Sequence, residues 1–190
     1  MKIGLFFGSF NPIHIGHLIL ADTMAQSTDC DQVWFVVSPH NPHKERGSLL
    51  HEFDRYDMVR LAIGDNPLLD VTDIEFSLPR PSYTIDTLAH LSEKYPQHEF
   101  ALIMGEDNLT HFQKWKNYDK ILKYYHILVY PRPAVAKTVW HTHEKVRLVD
   151  APMIDISATF IRKRIGAHQS IRYLVTPEVE TMIRLKKFYL

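Results

Sequence analysis

The 190-residue chain has a single cysteine, Cys30, so no internal disulfide can form, which fits a reducing compartment. Cys30 sits in the polar stretch Thr28-Asp29-Cys30-Asp31 and is read as a small filler residue rather than a nucleophile. Net charge is also lacking: Lys plus Arg and Asp plus Glu number 22 each. The absence of a basic excess argues against a general nucleic-acid binder, while leaving room for a local basic pocket. No apolar run is long enough to span a bilayer. The apolar start, Met1 to Phe7, is too short for a signal-peptide core and runs directly into Gly8-Ser9 and a proline. These absences predict a cytoplasmic chain with neither a membrane nor a nucleic acid as partner. With no internal repeat, low-complexity tract or linker, residues 1–190 are read as one domain. The oligomeric state stays open, a homo-oligomer included.

What is present is an alternation of strand and helix patterns. Ile3–Phe7, Val33–Val37 and Phe100–Met104 are continuous apolar runs, the mark of buried parallel strands. Further strands are predicted at Leu69–Ile74, His126–Tyr130 and Val146–Val149. Helical spacing links Leu18, Ala21 and Ala25; Phe53, Tyr56, Val59 and Ile63; and Ile85, Leu88, Leu91 and Tyr95. A short helix is expected over Ser157–Ile165, and a last one capped by Thr176 with Pro177 in its first turn. Ala134–Glu144 is unpatterned and reads as an exposed loop. The alternation predicts an α/β fold: an open parallel sheet with helices on both faces, binding ligands at the carboxyl ends of its strands.

The first motif, Gly8-Ser9-Phe10-Asn11-Pro12-Ile13-His14-Ile15-Gly16-His17, joins the first strand to the first helix. Gly8 lets backbone approach a ligand, and Gly16 leaves room for a base. A helix N-terminus offers free N–H groups and a positive dipole end, which favour phosphate. His14 and His17 are three positions apart and can face one site. Imidazoles so placed can donate hydrogen bonds to the nonbridging oxygens of a phosphoryl group under attack. Among 12 histidines a lone pair would more often be surface residues; the strand–turn–helix context favours the site. Zinc at this pair, or at His40 and His43, is disfavoured because no cysteine lies nearby and no third ligand is evident.

The second motif is Ile156-Ser157-Ala158-Thr159-Phe160-Ile161-Arg162. Ser157 and Thr159 can cap a helix or bind phosphate oxygens, and Arg162, one turn on, offers a planar fork. Alone it would read as a capped helix with a solvated arginine.

Three middle segments complete the pattern. Pro39-His40-Asn41-Pro42-His43-Lys44 carries a cation and an imidazole for an anion. Pro79-Arg80-Pro81-Ser82-Tyr83-Thr84 opens a helix with hydroxyls and free N–H groups suited to a carboxylate, although Ser82 or Thr84 could serve only as a cap. Met104-Gly105-Glu106-Asp107 ends a strand and is followed by Phe112, Trp115 and Arg132-Pro133; Trp115 offers a flat face for a ring or for the core.

These residues resemble a known family. H-I-G-H at 14–17 and S-x-T-x-x-R at 157–162 are similar to the signatures of the nucleotidyltransferase superfamily. The P-x-x-P-H-K loop, P-S-Y-T, G-x-D…F…W and R-P, in that order and over nearly the whole chain, resemble the bacterial nicotinate-nucleotide adenylyltransferases. No lysine-rich K-M-S-K-S loop is present, which sets aside class I aminoacyl-tRNA synthetases. The resemblance implies a Rossmann-like sheet and an enzyme that transfers the adenylyl group of ATP to nicotinic acid mononucleotide, with Mg²⁺ bound mainly through the ATP phosphates and no protein metal site. It implies that His14 and His17 stabilise the transition state and that Ser157, Thr159 and Arg162 hold pyrophosphate. Gly8, Ser9, Phe10, His17, Gly105, Asp107 and Ile156 would surround ATP. Tyr83, Thr84 and Trp115, with Ser82 and Asn11, would hold the acceptor; His43 and Lys44, also on the acceptor side, would lie near the substrates' phosphates, and Arg132 would contact a phosphate. One departure is Gly8-Ser9 with Asn11, where many members have Gly-Gly-Thr and aspartate. Nicotinamide mononucleotide or phosphopantetheine as acceptor, and a non-catalytic nucleotide-binding sensor, are the alternatives.

Overall fold

The computed structural model describes residues 1–39 and 49–190. Strands β1 (Lys2–Gly8), β2 (Gln32–Val37), β3 (Leu69–Thr72), β4 (Glu99–Gly105), β5 (His126–Tyr130) and β6 (Val146–Leu148) form one sheet of order β3-β2-β1-β4-β5-β6, every pair parallel among the described residues. The helices are α1 (Ile15–Ser27), α2 (Glu52–Ile63), α3 (Thr84–Lys94), α4 (Glu106–Leu109), α5 (Tyr118–Tyr124), α6 (Ala158–Gly166) and α7 (Pro177–Lys186). This is the α/β arrangement expected, and it follows from strands buried on both faces. Alternate residues divide between two cores. Phe6, Phe35, Ile103 and Leu128 pack with α1, α2, α6 and α7 on one side; Ile3, Leu5, Leu102 and Ile127 pack with α3 and α5 on the other. Cys30 is buried in the first core, which fits its reading as filler.

The chain starts in the middle of the sheet, builds outward to β3, and returns to β4 on the other side of β1. The direction of winding therefore reverses between β1 and β4, the position where such sheets open a crevice beyond the carboxyl ends of their strands. Gly8 and Gly105 end those two strands, so the first motif and the Gly105 segment face one crevice.

Three local expectations differ from the structure. In α2 the buried face is Arg55, Met58 and Val59, whereas Phe53 is 55% exposed and packs on His51 and Phe76. A buried arginine has displaced the aromatic from the core side. The third strand stops at Thr72, and Ile74–Ser77 is a helical turn. The 134–144 segment is not wholly unpatterned: Val139–Thr142 forms a helical turn that sets Trp140 against Phe112 and Tyr118. Among the described residues no helix is long and apolar enough to cross a membrane.

Candidate functional site

The turn after β1 is shaped by Phe10. Its backbone is left-handed (φ 44°), a conformation that costs a non-glycine residue about 1–3 kcal/mol, and its buried ring anchors it there. The ring meets Phe6, Phe35 and His17 edge-on at centroid distances of 5.9, 5.2 and 5.1 Å. It also lies over Gly8, where a Cβ would come within 2.7 Å of it. A side chain at residue 8 would therefore have to displace the buried Phe10 ring.

At the start of α1 the two imidazoles are stacked, centroids 3.6 Å apart. The backbone N–H of His14 donates to His17 Nδ1 at 3.3 Å. An accepting Nδ1 places the proton of neutral His17 on Nε2, which makes that nitrogen a donor. His14 is 6% exposed, and its buried Nδ1 has no hydrogen-bond partner among the described residues. Burial, with the positive charge of Arg132, lowers its pKa from 6.5 to about 4, so it is neutral near pH 7. The room left by Gly16 is taken by His14 and Ile154: a Cβ there would lie 3.1 Å from the His14 ring and 3.4 Å from Ile154.

The His14 shift has a stability consequence. The unfolded imidazole binds a proton more readily than the folded one between pH 6.5 and 4. Stability is therefore full above pH 6.5 and falls as pH drops toward 4, by roughly 3 kcal/mol for this group at about 1.4 kcal/mol per unit. Urea unfolding of wild type and His14→Gln at pH 7 and pH 4.5 checks this: wild type should lose distinctly more. Equal losses would exclude His14 as a source of acid sensitivity.

The second motif is brought onto the first. Ser157 caps α6, its Oγ accepting from Phe160 N at 3.2 Å. One N–H of the Arg162 guanidinium donates to the Asn11 carbonyl at 2.8 Å and another to Thr159 Oγ1 at 3.3 Å. Ser157 and Thr159 are exposed, and Ile156 packs partly on the first core. Asn11 is buried, and its side-chain oxygen accepts from Leu50 N at 3.2 Å and from the Tyr189 hydroxyl at 2.8 Å. Both are bonds that a carboxylate oxygen could also accept.

Across the crevice, the space beside Gly105 is filled by Asp107, Arg132 and Tyr130. Arg132 Nε lies 3.7 Å from Asp107 Oδ1, and its guanidinium stands over the Tyr130 ring at 5.0 Å. The Glu106 carboxylate accepts from Arg132 N at 3.2 Å and pairs with His141 Nε2 at 2.9 Å. A shallow cavity of about 90 Å³ opens here, lined by Leu20, Tyr130, Arg132, Pro133, Met153 and Ile154 among others.

The predicted acceptor segment is held from below. Tyr83, not Ser82 or Thr84, is the N-cap of α3, and it makes no side-chain cap bond. Ser82 Oγ and Thr87 Oγ1 donate instead to the buried Glu75 carboxylate at 3.0 and 2.8 Å. Burial raises the Glu75 pKa. Tyr83 is exposed, with Lys116 Nζ 4.5 Å from its ring centre, and Lys116 also pairs with Asp86 at 2.8 Å. Trp115, next to Lys116, is half-buried against Phe112 at 5.5 Å. The P-S-Y-T and tryptophan segments therefore meet at Lys116. His43 and Lys44 lie outside the described residues.

Sequence reasoning passed over Arg55, Glu75, His141 and Tyr189. Arg55 is fully buried and donates to four carbonyls: Ser9 at 2.6 Å, Ser38 at 2.8 Å, Pro39 at 2.9 Å and Leu50 at 2.9 Å. The one available signal was a cation in register with Met58 and Val59 on a helix.

A family model described as cytidylyltransferase-like matches residues 5–164. The chain is 60% identical over its whole length to a Cytophaga hutchinsonii protein, 98% of which is covered, and 51% identical to one from Flavobacterium psychrophilum, 99% covered; both are named probable nicotinate-nucleotide adenylyltransferase. Among solved structures, a Plasmodium falciparum nicotinic acid mononucleotide adenylyltransferase complexed with NaAD superposes with a TM-score of 0.81, covering 99% of this chain and 97% of that one. At 19% identity that likeness speaks for the fold alone.

Proposed function

The chain belongs to the cytidylyltransferase-like family, among the nicotinate-nucleotide adenylyltransferases, and from that premise we propose how its residues carry out adenylyl transfer from ATP to nicotinic acid mononucleotide. The acceptor phosphate oxygen attacks the α-phosphorus of ATP; that P–O bond forms as the bond to the β-phosphate breaks, giving nicotinic acid adenine dinucleotide and pyrophosphate. The acceptor is already an anion, so no general base is needed, and catalysis rests on positioning and charge stabilisation.

The observation that carries this reading is the Arg162–Asn11 hydrogen bond, which sets the second motif against the turn that presents His14 and His17. His17 Nε2–H and the neutral His14 ring donate to the nonbridging α-phosphate oxygens beside the α1 N-terminus. Arg162 uses N–H groups beyond the two engaged in the fold, with Ser157 and Thr159, to hold the leaving pyrophosphate. Gly8, Ser9 and Phe10 line the triphosphate with backbone, while Gly105, Asp107 and Ile156 flank the adenosine at the mouth of the small cavity by Tyr130 and Ile154.

Among the described residues no group of three or more His, Cys, Asp or Glu could hold a metal ion, and neutral imidazoles suit a hard cation poorly. Mg²⁺ would be carried mainly by the ATP phosphates and, when bound, would neutralise triphosphate charge. A cytoplasmic setting, where ATP is abundant, is part of the same reading.

The acceptor's nicotinate ring rests between Tyr83 and Trp115, with Thr84, the α3 N-terminus and the Lys116 ammonium facing its carboxylate, while Ser82, its hydroxyl donated to Glu75, holds the segment in place. His43 and Lys44 serve the acceptor phosphate, and Arg132 a phosphate of either substrate. A carboxylate gains charge-assisted bonds that a carboxamide does not, each about 1.5–3 kcal/mol. Pyrophosphate release with ATP and Mg²⁺ should favour nicotinic acid mononucleotide over nicotinamide mononucleotide by about 100-fold in kcat/KM, with phosphopantetheine inactive. Equal rates for acid and amide would sink the carboxylate assignment; release with no acceptor would return the nucleotide-sensor alternative.

A further inference from the structure

We propose that Tyr189 is a positioning residue of the active site. It lies in the segment after α7, where Lys187 (φ 54°) and Tyr189 (φ 65°) both take the left-handed conformation and Phe188 N bonds back to the Ile183 carbonyl at 3.0 Å. Two left-handed residues within three positions fold the segment back on itself. The fold-back delivers the Tyr189 hydroxyl to Asn11 Oδ1 at 2.8 Å, although α7 packs mainly on α2. Asn11 is the node of the site. Its carbonyl accepts from Arg162, its side-chain oxygen also accepts from Leu50 N, and it stands between Phe10 and His14 in the turn. The phenol therefore fixes the amide whose own backbone seats the pyrophosphate-binding arginine.

Arg162 and Arg55, and in the opposite sense Asp54, act electrostatically on the Tyr189 phenol; the two arginines bond the Asn11 carbonyl and the Ser9 carbonyl two residues earlier. A neutral hydroxyl satisfies Asn11 there without adding charge beside the phosphates. Its contribution falls on geometry at the transition state rather than on ground-state affinity, because the groups it steadies, Arg162 and the His14 turn, act on the reacting phosphates. Misplacing such groups by a fraction of an ångström is costly to rate.

The inference rests on the adenylyl-transfer reading, so wild type is measured in the same assay. Tyr189→Phe removes one oxygen and keeps the ring. It should lower kcat about tenfold, leave both KM values within about twofold, and lower the melting temperature by no more than a few degrees. In a double-mutant cycle, Asn11→Ala with Tyr189→Phe should be no slower than Asn11→Ala alone. A normal kcat with only a lowered melting temperature would show a purely structural tyrosine and overturn the inference. So would fully additive losses in the cycle. A wild-type protein that releases no pyrophosphate with any acceptor would overturn the reading itself, and the inference with it.

Discussion

Replacing His17 with alanine should lower kcat at saturating ATP and nicotinic acid mononucleotide by at least about 100-fold, the scale of one lost transition-state donor. The expectation follows from the two nitrogens having different tasks. Nδ1 accepts from the His14 N–H, a bond internal to the fold, and this leaves the proton on Nε2. Alanine removes both, so two further variants separate them. In His17→Asn the side-chain carbonyl can stand where Nδ1 did, which keeps the helix start but supplies no donor at the Nε2 position. In His17→Gln the amide reaches toward Nε2. Steady-state kinetics should find asparagine as impaired as alanine and glutamine partly restored, with the asparagine variant melting closest to wild type. Near-normal turnover in His17→Ala would remove His17 from the mechanism.

Arg55→Met should destabilise the protein by about 3–5 kcal/mol and lower its melting temperature by roughly 10 °C. Methionine relieves the cost of burying a charge, but four carbonyls lose charge-assisted donors, and those left without a partner cost about 1–3 kcal/mol each. Arg55→Lys keeps the charge and loses the fork, since three N–H groups on one atom cannot reach carbonyls spread over Ser9, Ser38, Pro39 and Leu50. Thermal melts should rank wild type above lysine and lysine above methionine. A methionine variant as stable as wild type would mean that desolvation of the guanidinium outweighs its bonds.

The sheet was legible because buried parallel strands are apolar on both faces, and β1, β2 and β4 stand out as unbroken runs. The turn from Gly8 to His17 stood out for a related reason: a glycine and two histidines between a strand and a helix form a short local pattern, and the structure does bring the two imidazoles together. What escaped was the support. Arg55 and Glu75 are charged residues, read by default as solvated, and their burial depends on carbonyls and hydroxyls far away in sequence. Phe53 was assigned to the core for the same reason, since nothing local says that an arginine takes the inner position. The 134–144 segment lacks periodicity, yet tertiary contacts of Trp140 and His141 order its helical turn.

The binding of Asn11 by Arg162 and Tyr189, 151 and 178 positions later, also bears on how the molecule is made. A ribosome adds about 5–20 residues each second, so the turn around Asn11 emerges roughly 8–35 s before the groups that hold it in shape. Until then the nascent chain carries the histidines without their frame. Chains arrested before residue 162 lack the Arg162 contact to Asn11 and should consequently bind ATP more weakly than the full sequence.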